Sequence, residues 1–190
     1  MENYNEEVKR AADILFKGGI ILYPTDTIWG IGCDATNEDA VRRVYELKKR
    51  SDSKSMLVLL DSEAKLNYYV EDVPDLAFDL IEMSEKPLTV IYDGARNVAP
   101  NLLAEDGSLG IRITREEFSK QLCFRFRKAL VSTSANISGE PSPRNFSEIS
   151  EEVKNGVDYI VGVRQTETGN PKPSGIIKLK SNGEIKVIRE

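Results

Sequence analysis

Four stretches of this 190-residue chain crowd hydroxyl, amide or cationic side chains against short apolar runs. They are Tyr23-Pro24-Thr25-Asp26-Thr27, Leu47-Lys48-Lys49-Arg50, Gly110-Ile111-Arg112, and the run from Leu130 through Ser132, Thr133, Ser134 and Asn136 to Gly139. In α/β sheets, strand ends present free amides and side chains to ligands, so the four are expected to converge on one site. For Thr25 and Thr27 an ordinary turn is an equal reading, because Thr and Asp after Pro are common turn formers and caps. The stretch from Ser132 to Ser138 is harder to read that way. Three Ser, one Thr and one Asn in seven residues, entered from an apolar strand, make a poor core and a good anion cradle.

The cations add direction. Lys48 follows Val44 by four residues and Val41 by seven, so on a helix it continues the inner apolar face, where an ammonium needs an anionic partner. Arg50 falls just past that helix, where its planar fork can clamp a phosphate. Arg112 stands two residues after Gly110 in a strand otherwise without charge. Each has a structural alternative, a salt bridge to Asp or Glu, and taken singly the two readings weigh the same. The three together favour an anionic ligand.

Composition narrows the chemistry. With no histidine, a His-ligated zinc site, a Ser-His-Asp triad and a Cys-His dyad are excluded. Cys33 and Cys123 match no metal or redox spacing and read as two reduced, partly buried thiols. No apolar stretch reaches the ~20 residues that span a bilayer, and the first ten residues are polar and acidic; a cytoplasmic protein with no membrane partner is expected. The net charge of −5 argues against a coat for nucleic acid, although Arg42, Arg43, Lys48, Lys49, Arg50 and Lys54 form a basic run.

These residues need a scaffold, and hydrophobic periodicity supplies one. Helices are expected over 5–17, 37–49, 62–69, 75–84, 115–128 and 145–155, and strands over 19–23, 56–60, 88–92, 109–113, 129–132, 159–163, 175–179 and 184–188. The last two strands join across Ser181-Asn182-Gly183, a hairpin signal. The expected fold is α/β of the α+β type, one domain over 1–190, with a twisted mixed parallel and antiparallel sheet and helices on both faces.

The motifs resemble those of a known family. YPTDTIWGIG from Tyr23 to Gly32 is similar to the YPTDTVYGLG signature of the YrdC-like family, Lys48-Lys49-Arg50 resembles its KxR motif, and STSANISG from Ser132 matches its STSAN motif letter for letter. The resemblance extends to the stretch from Gly107 to Arg112, to Lys172-Pro173-Ser174-Gly175-Ile176-Ile177 beside PST-I-V, and to Ile188-Arg189 beside a final LR. It implies a deep concave cleft and a synthase that condenses L-threonine, bicarbonate and ATP to threonylcarbamoyl-AMP for tRNA modification. Thr25 and Ser174 would hold L-threonine. Lys48, Arg50, Ser134, Asn136 and Arg189 would contact ATP, with Lys48 and Arg50 catalytic. Arg112 would line the same cavity, and Ser132 and Thr133 would shape its wall. Mg²⁺ would arrive on the ATP, no resident metal is expected, and a separate threonylcarbamoyl-transferase complex would take the product. The competing reading is a non-catalytic member of the same fold whose basic cleft grips tRNA or double-stranded RNA; such a protein has no use for Thr25 and Ser174 in a pocket. Three departures from the family pattern stand out: Glu85-Lys86 before Pro87 where PGPLT is common, Ser51 where a proline often follows KxR, and Leu59 where some members carry histidine. The extra C-terminal domain of longer members is not expected.

Overall fold

The computed structural model describes residues 3–50, 56–169 and 171–190. Helix α1 (Tyr4–Phe16) begins where Asn3 accepts from the Glu6 amide and buries Val8, Ala11, Ala12 and Leu15 on one face. Helix α2 (Glu38–Lys48) is capped by Asn37, whose side chain accepts from the Ala40 amide, and ends at Lys49 in the left-handed region at φ 51°. Short helices α3 (Leu66–Tyr69), α4 (Asp75–Met83) and α6 (Glu151–Gly156), with α5 (Glu117–Phe126), complete the helical set among the described residues.

Nine strands among the described residues form one sheet: β1 (Ile21–Tyr23), β2 (Gly30–Gly32), β3 (Leu57–Leu60), β4 (Leu88–Tyr92), β5 (Leu109–Ile113), β6 (Leu130–Ser134), β7 (Tyr159–Ile160), β8 (Gly175–Leu179) and β9 (Ile185–Arg189). Their order is β7-β1-β2-β6-β3-β5-β4-β8-β9. The β1/β7, β3/β5 and β4/β8 pairs are parallel and the remainder antiparallel, the mixed sheet expected from the alternation of helices with a closing hairpin. Side chains alternate between faces, which divides the core in two. Leu22, Ile31, Val58, Val90, Ile111 and Val131 point to the face covered by α2, α3, α4 and α6. Ile21, Tyr23, Leu59 and Leu130 point to the other, covered by α1 and α5 through Ala11, Leu15, Phe118, Leu122 and Phe126.

Four expectations about elements need correction. Strand β2 escaped the pattern because two of its three residues are glycine, depleted in strands. Gly32 is there for contact: a Cβ on it would sit 2.6 Å from Cε1 of Tyr23. The 62–69 helix divides into a 3-10 turn at Glu63–Lys65 followed by α3. The 145–155 helix breaks at extended Ile149, because Ser150 caps α6 by accepting from the Val153 amide. The 159–163 strand stops at Ile160; the Gly162 amide leaves the sheet and donates to the Glu7 carboxylate of α1 at 2.6 Å.

Candidate functional site

Helices α1 and α5 cover only part of their face of the sheet. Arg112 stands opposite Leu59 in β3 and Thr89 in β4, so it shares that face, and beyond it the helices stop. The uncovered part forms a cavity of about 290 Å³, at the low end of the ~300–1,000 Å³ usual for small-molecule sites. Its floor is Leu57, Gly110, Arg112, Thr89, Ile91 and Ile176; its rim is Thr25, Thr27 to Gly30, Arg50, Ser132 to Ser134, Ser142, Pro173, Ser174 and Arg189. The four motif segments therefore meet, though on a sheet face rather than at a row of strand ends. In a sheet of mixed direction no single edge collects carboxyl ends. Gly110 keeps the floor open, since a Cβ there would press within 3.2 Å of Thr89 Cγ2.

Of the ten residues singled out from sequence, Thr25, Arg50, Arg112, Ser132, Thr133, Ser134, Ser174 and Arg189 line this cavity. Lys48 and Asn136 do not; they stand behind the Ser134 loop. Lys48 is 1% exposed, inward as its spacing predicts. Its partners, however, are neutral oxygens: Nζ donates to the Ser134 carbonyl at 2.5 Å, the Asn136 carbonyl at 2.7 Å and Asn136 Oδ1 at 3.3 Å. The Lys48 carbonyl in turn accepts from the Ser138 amide at 2.8 Å. The stretch from Ser132 to Ser138 is thus stitched around the end of α2, and Ser134 Oγ donates to Asn136 Oδ1 within it. Burial, with the Arg50 charge nearby, pulls Lys48 down to about 8. Left-handed Lys49 then turns the chain so that Arg50 reaches the cavity.

On the opposite wall, Thr25 donates through Oγ1 to the Ile28 carbonyl at 2.6 Å and accepts from the Thr27 amide at 3.1 Å, an internal turn that fixes the loop. Arg112, 3% exposed, faces Asp26 with Nη2 2.9 Å from Oδ1. Its Nε has no hydrogen-bond partner among the described residues. Burial raises the Asp26 carboxyl against the opposing pull of Arg112. Arg189 donates through Nε to the Ser174 carbonyl at 2.9 Å, and burial, then the charge of Arg112, lowers it. Ser174 Oγ lies 2.9 Å from Thr89 Oγ1. Sequence reasoning passed over Thr89, Trp29, Ser142 and the pairing role of Asp26. Only the parallel β4/β8 register, which sets Leu88 beside Gly175, brings Thr89 to Ser174.

The altered loop at Glu85-Lys86 is braced from outside: Arg115 donates to the Ser84 carbonyl at 2.7 Å and the Ile81 carbonyl at 2.6 Å. Leu59 lies in the α5 core rather than in the cavity. Ser51 and Lys54 fall outside the described residues. Among the described residues no group of three Cys, Asp or Glu could hold a metal, and no helix is long and apolar enough to cross a membrane.

A mixed sheet with a half-covered face, opening on three guanidiniums, a hydroxyl-rich loop and threonine hydroxyls, is the architecture of an α/β enzyme with a polar, cation-lined cavity. The family model Sua5/YciO/YrdC, described as telomere recombination, matches residues 13–190, and the chain belongs to that family. A threonylcarbamoyl-AMP synthase of Pseudoalteromonas translucida is 32% identical over 94% of this chain and 95% of its own length. One of Idiomarina loihiensis is 33% identical over 90% and 93%. Among solved structures, E. coli YciO superposes with a TM-score of 0.83 at 25% identity, over 96% of this chain and 88% of that one. P. abyssi Sua5 superposes with a TM-score of 0.86 at 24% identity, which shows the fold; the chain spans 55% of its length.

Proposed function

We propose that the chain is a threonylcarbamoyl-AMP synthase, a nucleotidyltransferase that condenses L-threonine, bicarbonate and ATP, rather than a non-catalytic RNA-binding protein. The observation that carries this is the single cavity onto which the YPTDT, KxR, STSAN and PS segments all open, with Arg50, Arg112 and Arg189 around it. Relatives of this length named for the same activity support it.

The threonine amine and bicarbonate combine to a carbamate with loss of water, a step that benefits from the sequestered floor. A carbamate oxygen then attacks the α-phosphorus of ATP; the bond to the bridging oxygen of the β-phosphate breaks, and pyrophosphate leaves with the Mg²⁺ that ATP brought. Such a displacement needs alignment and positive charge more than covalent help, so a chain without histidine can perform it. Arg50, with the Ser132-Thr133-Ser134 wall, serves the phosphates; Thr25 and Ser174 hold the threonine; Arg112 and Arg189 carry the anionic centre between them. Lys48 and Asn136 act through the loop they brace. The product goes on to a separate transferase complex that modifies tRNA, and the setting is the cytoplasm.

The test is product identity. Incubation with ATP, Mg²⁺, L-threonine and ¹³C-bicarbonate should yield, by mass spectrometry, an adenylate one mass unit heavier than with ordinary bicarbonate. An adenylate whose mass ignores the label would refute the assignment.

A further inference from the structure

The loop that carries Thr25 is a thin wall. Thr25, Thr27, Ile28 and Trp29 line the main cavity on one side and a second cavity of about 150 Å³ on the other. The internal turn sets the loop's own shape, and a tie from the far side sets where that turn stands against the cavity. Arg164, in the segment that leaves β7, reaches across from that second cavity. Its Nη1 donates to the Thr25 backbone carbonyl at 3.2 Å and lies 3.0 Å from Glu116 Oε1, while Nε donates to Glu167 Oε2 at 2.8 Å.

Each contact has an anchor. Glu116 caps α5, accepting from the Phe118 and Ser119 amides at 3.0 and 2.7 Å, so through it Arg164 is fastened to the helix that follows the Arg112 strand. The backbone records the cost. Arg164 is one of four described non-glycine residues in the left-handed region, at φ 61°, a conformation glycine adopts freely and arginine does not. Its side chain is 23% exposed and engages Thr25 and Glu116 from two other segments as well as Glu167 from its own, contacts that hold the residue in this conformation.

We propose that Arg164 is a positioning residue for the L-threonine subsite, holding the Thr25 carbonyl so that the Thr25–Ile28 turn presents a fixed surface to the amino acid. This rests on the assignment of Thr25 to L-threonine. Arg164 does not line the shared cavity and reaches it through the Thr25 carbonyl, the threonine side of the site, so its effect is expected on threonine before ATP.

Glycine suits φ 61°, so Arg164→Gly removes the tie without adding strain. Pyrophosphate release is measured against threonine and ATP in turn for the parent, Arg164→Gly and Arg164→Lys, with melting curves for each. Loss of one charge-assisted hydrogen bond should raise KM for L-threonine about tenfold in Arg164→Gly. KM for ATP should stay within about twofold, the melting temperature should not fall, and Arg164→Lys should recover part of the loss. An unchanged threonine KM in Arg164→Gly, beside a threonine-dependent parent, overturns the assignment of Arg164 alone. Threonine and ATP KM values rising together, or a lowered melting temperature, would mean a general brace and overturn it as well. A parent indifferent to threonine would bring down the subsite and this inference together.

Discussion

Lys48 Nζ donates to the main-chain carbonyl of Asn136 at 2.7 Å, as it does to that of Ser134 at 2.5 Å. A buried lysine therefore works here as the keystone of a loop rather than as half of an ion pair.

Lys48→Met should keep the packing of the stem and take the lysine donor from the Ser134 and Asn136 carbonyls. An unpaired buried acceptor costs about 1–3 kcal/mol, and each kcal/mol shifts the melting temperature of a chain this size by about 2–4 °C. Scanning fluorimetry should show the variant melting several degrees lower and gaining little from ATP, because the loop that offers Ser134 has lost its frame. Parent-like melting with full ATP stabilisation would show that Lys48 braces nothing.

The same lysine confers a pH dependence. Its folded value of about 8 lies below the ordinary 10.5, so between those limits the unfolded chain binds more protons than the folded one, and this group's contribution to stability grows as pH rises through the window. Function moves the other way: above about pH 8 the ammonium is lost and the brace weakens. ATP affinity should therefore fall between pH 7.5 and 9 by roughly an order of magnitude while the urea midpoint of parent relative to Lys48→Met rises. Flat profiles for both would remove Lys48 from the account.

Asp26 and Arg112 form a buried pair, 2.9 Å apart and 11% and 3% exposed. Asp26→Asn leaves the guanidinium without its counter-charge, and breaking a buried pair typically costs about 3–5 kcal/mol. The double variant Asp26→Asn/Arg112→Met should regain much of that stability and none of the activity. Strictly additive stability losses would show that the two residues are not coupled.

Much of this arrangement was legible in the residues. The inward face of Lys48, Arg50 beyond the helix, the hydroxyl-rich run entered from a strand and the closing hairpin follow from spacing and residue type, because helical period and turn chemistry are local. What escaped was non-local. Gly30-Ile31-Gly32 has no strand signature and is a strand only because β1 and β6 flank it. Thr89 meets Ser174 through strand register, and Arg164 meets Thr25 across 139 residues. The nature of Lys48's partners was also hidden: burial demanded acceptors, and backbone carbonyls, which carry no sequence signal, supply them.

The central claim is that one cavity joins threonine, bicarbonate and ATP, and pyrophosphate release tests it most directly. Purified protein with ATP and Mg²⁺ should release pyrophosphate only when both L-threonine and bicarbonate are present, and Arg50→Ala should abolish the release while the protein stays folded. Release that proceeds equally without threonine, or none with all three substrates present, would contradict it.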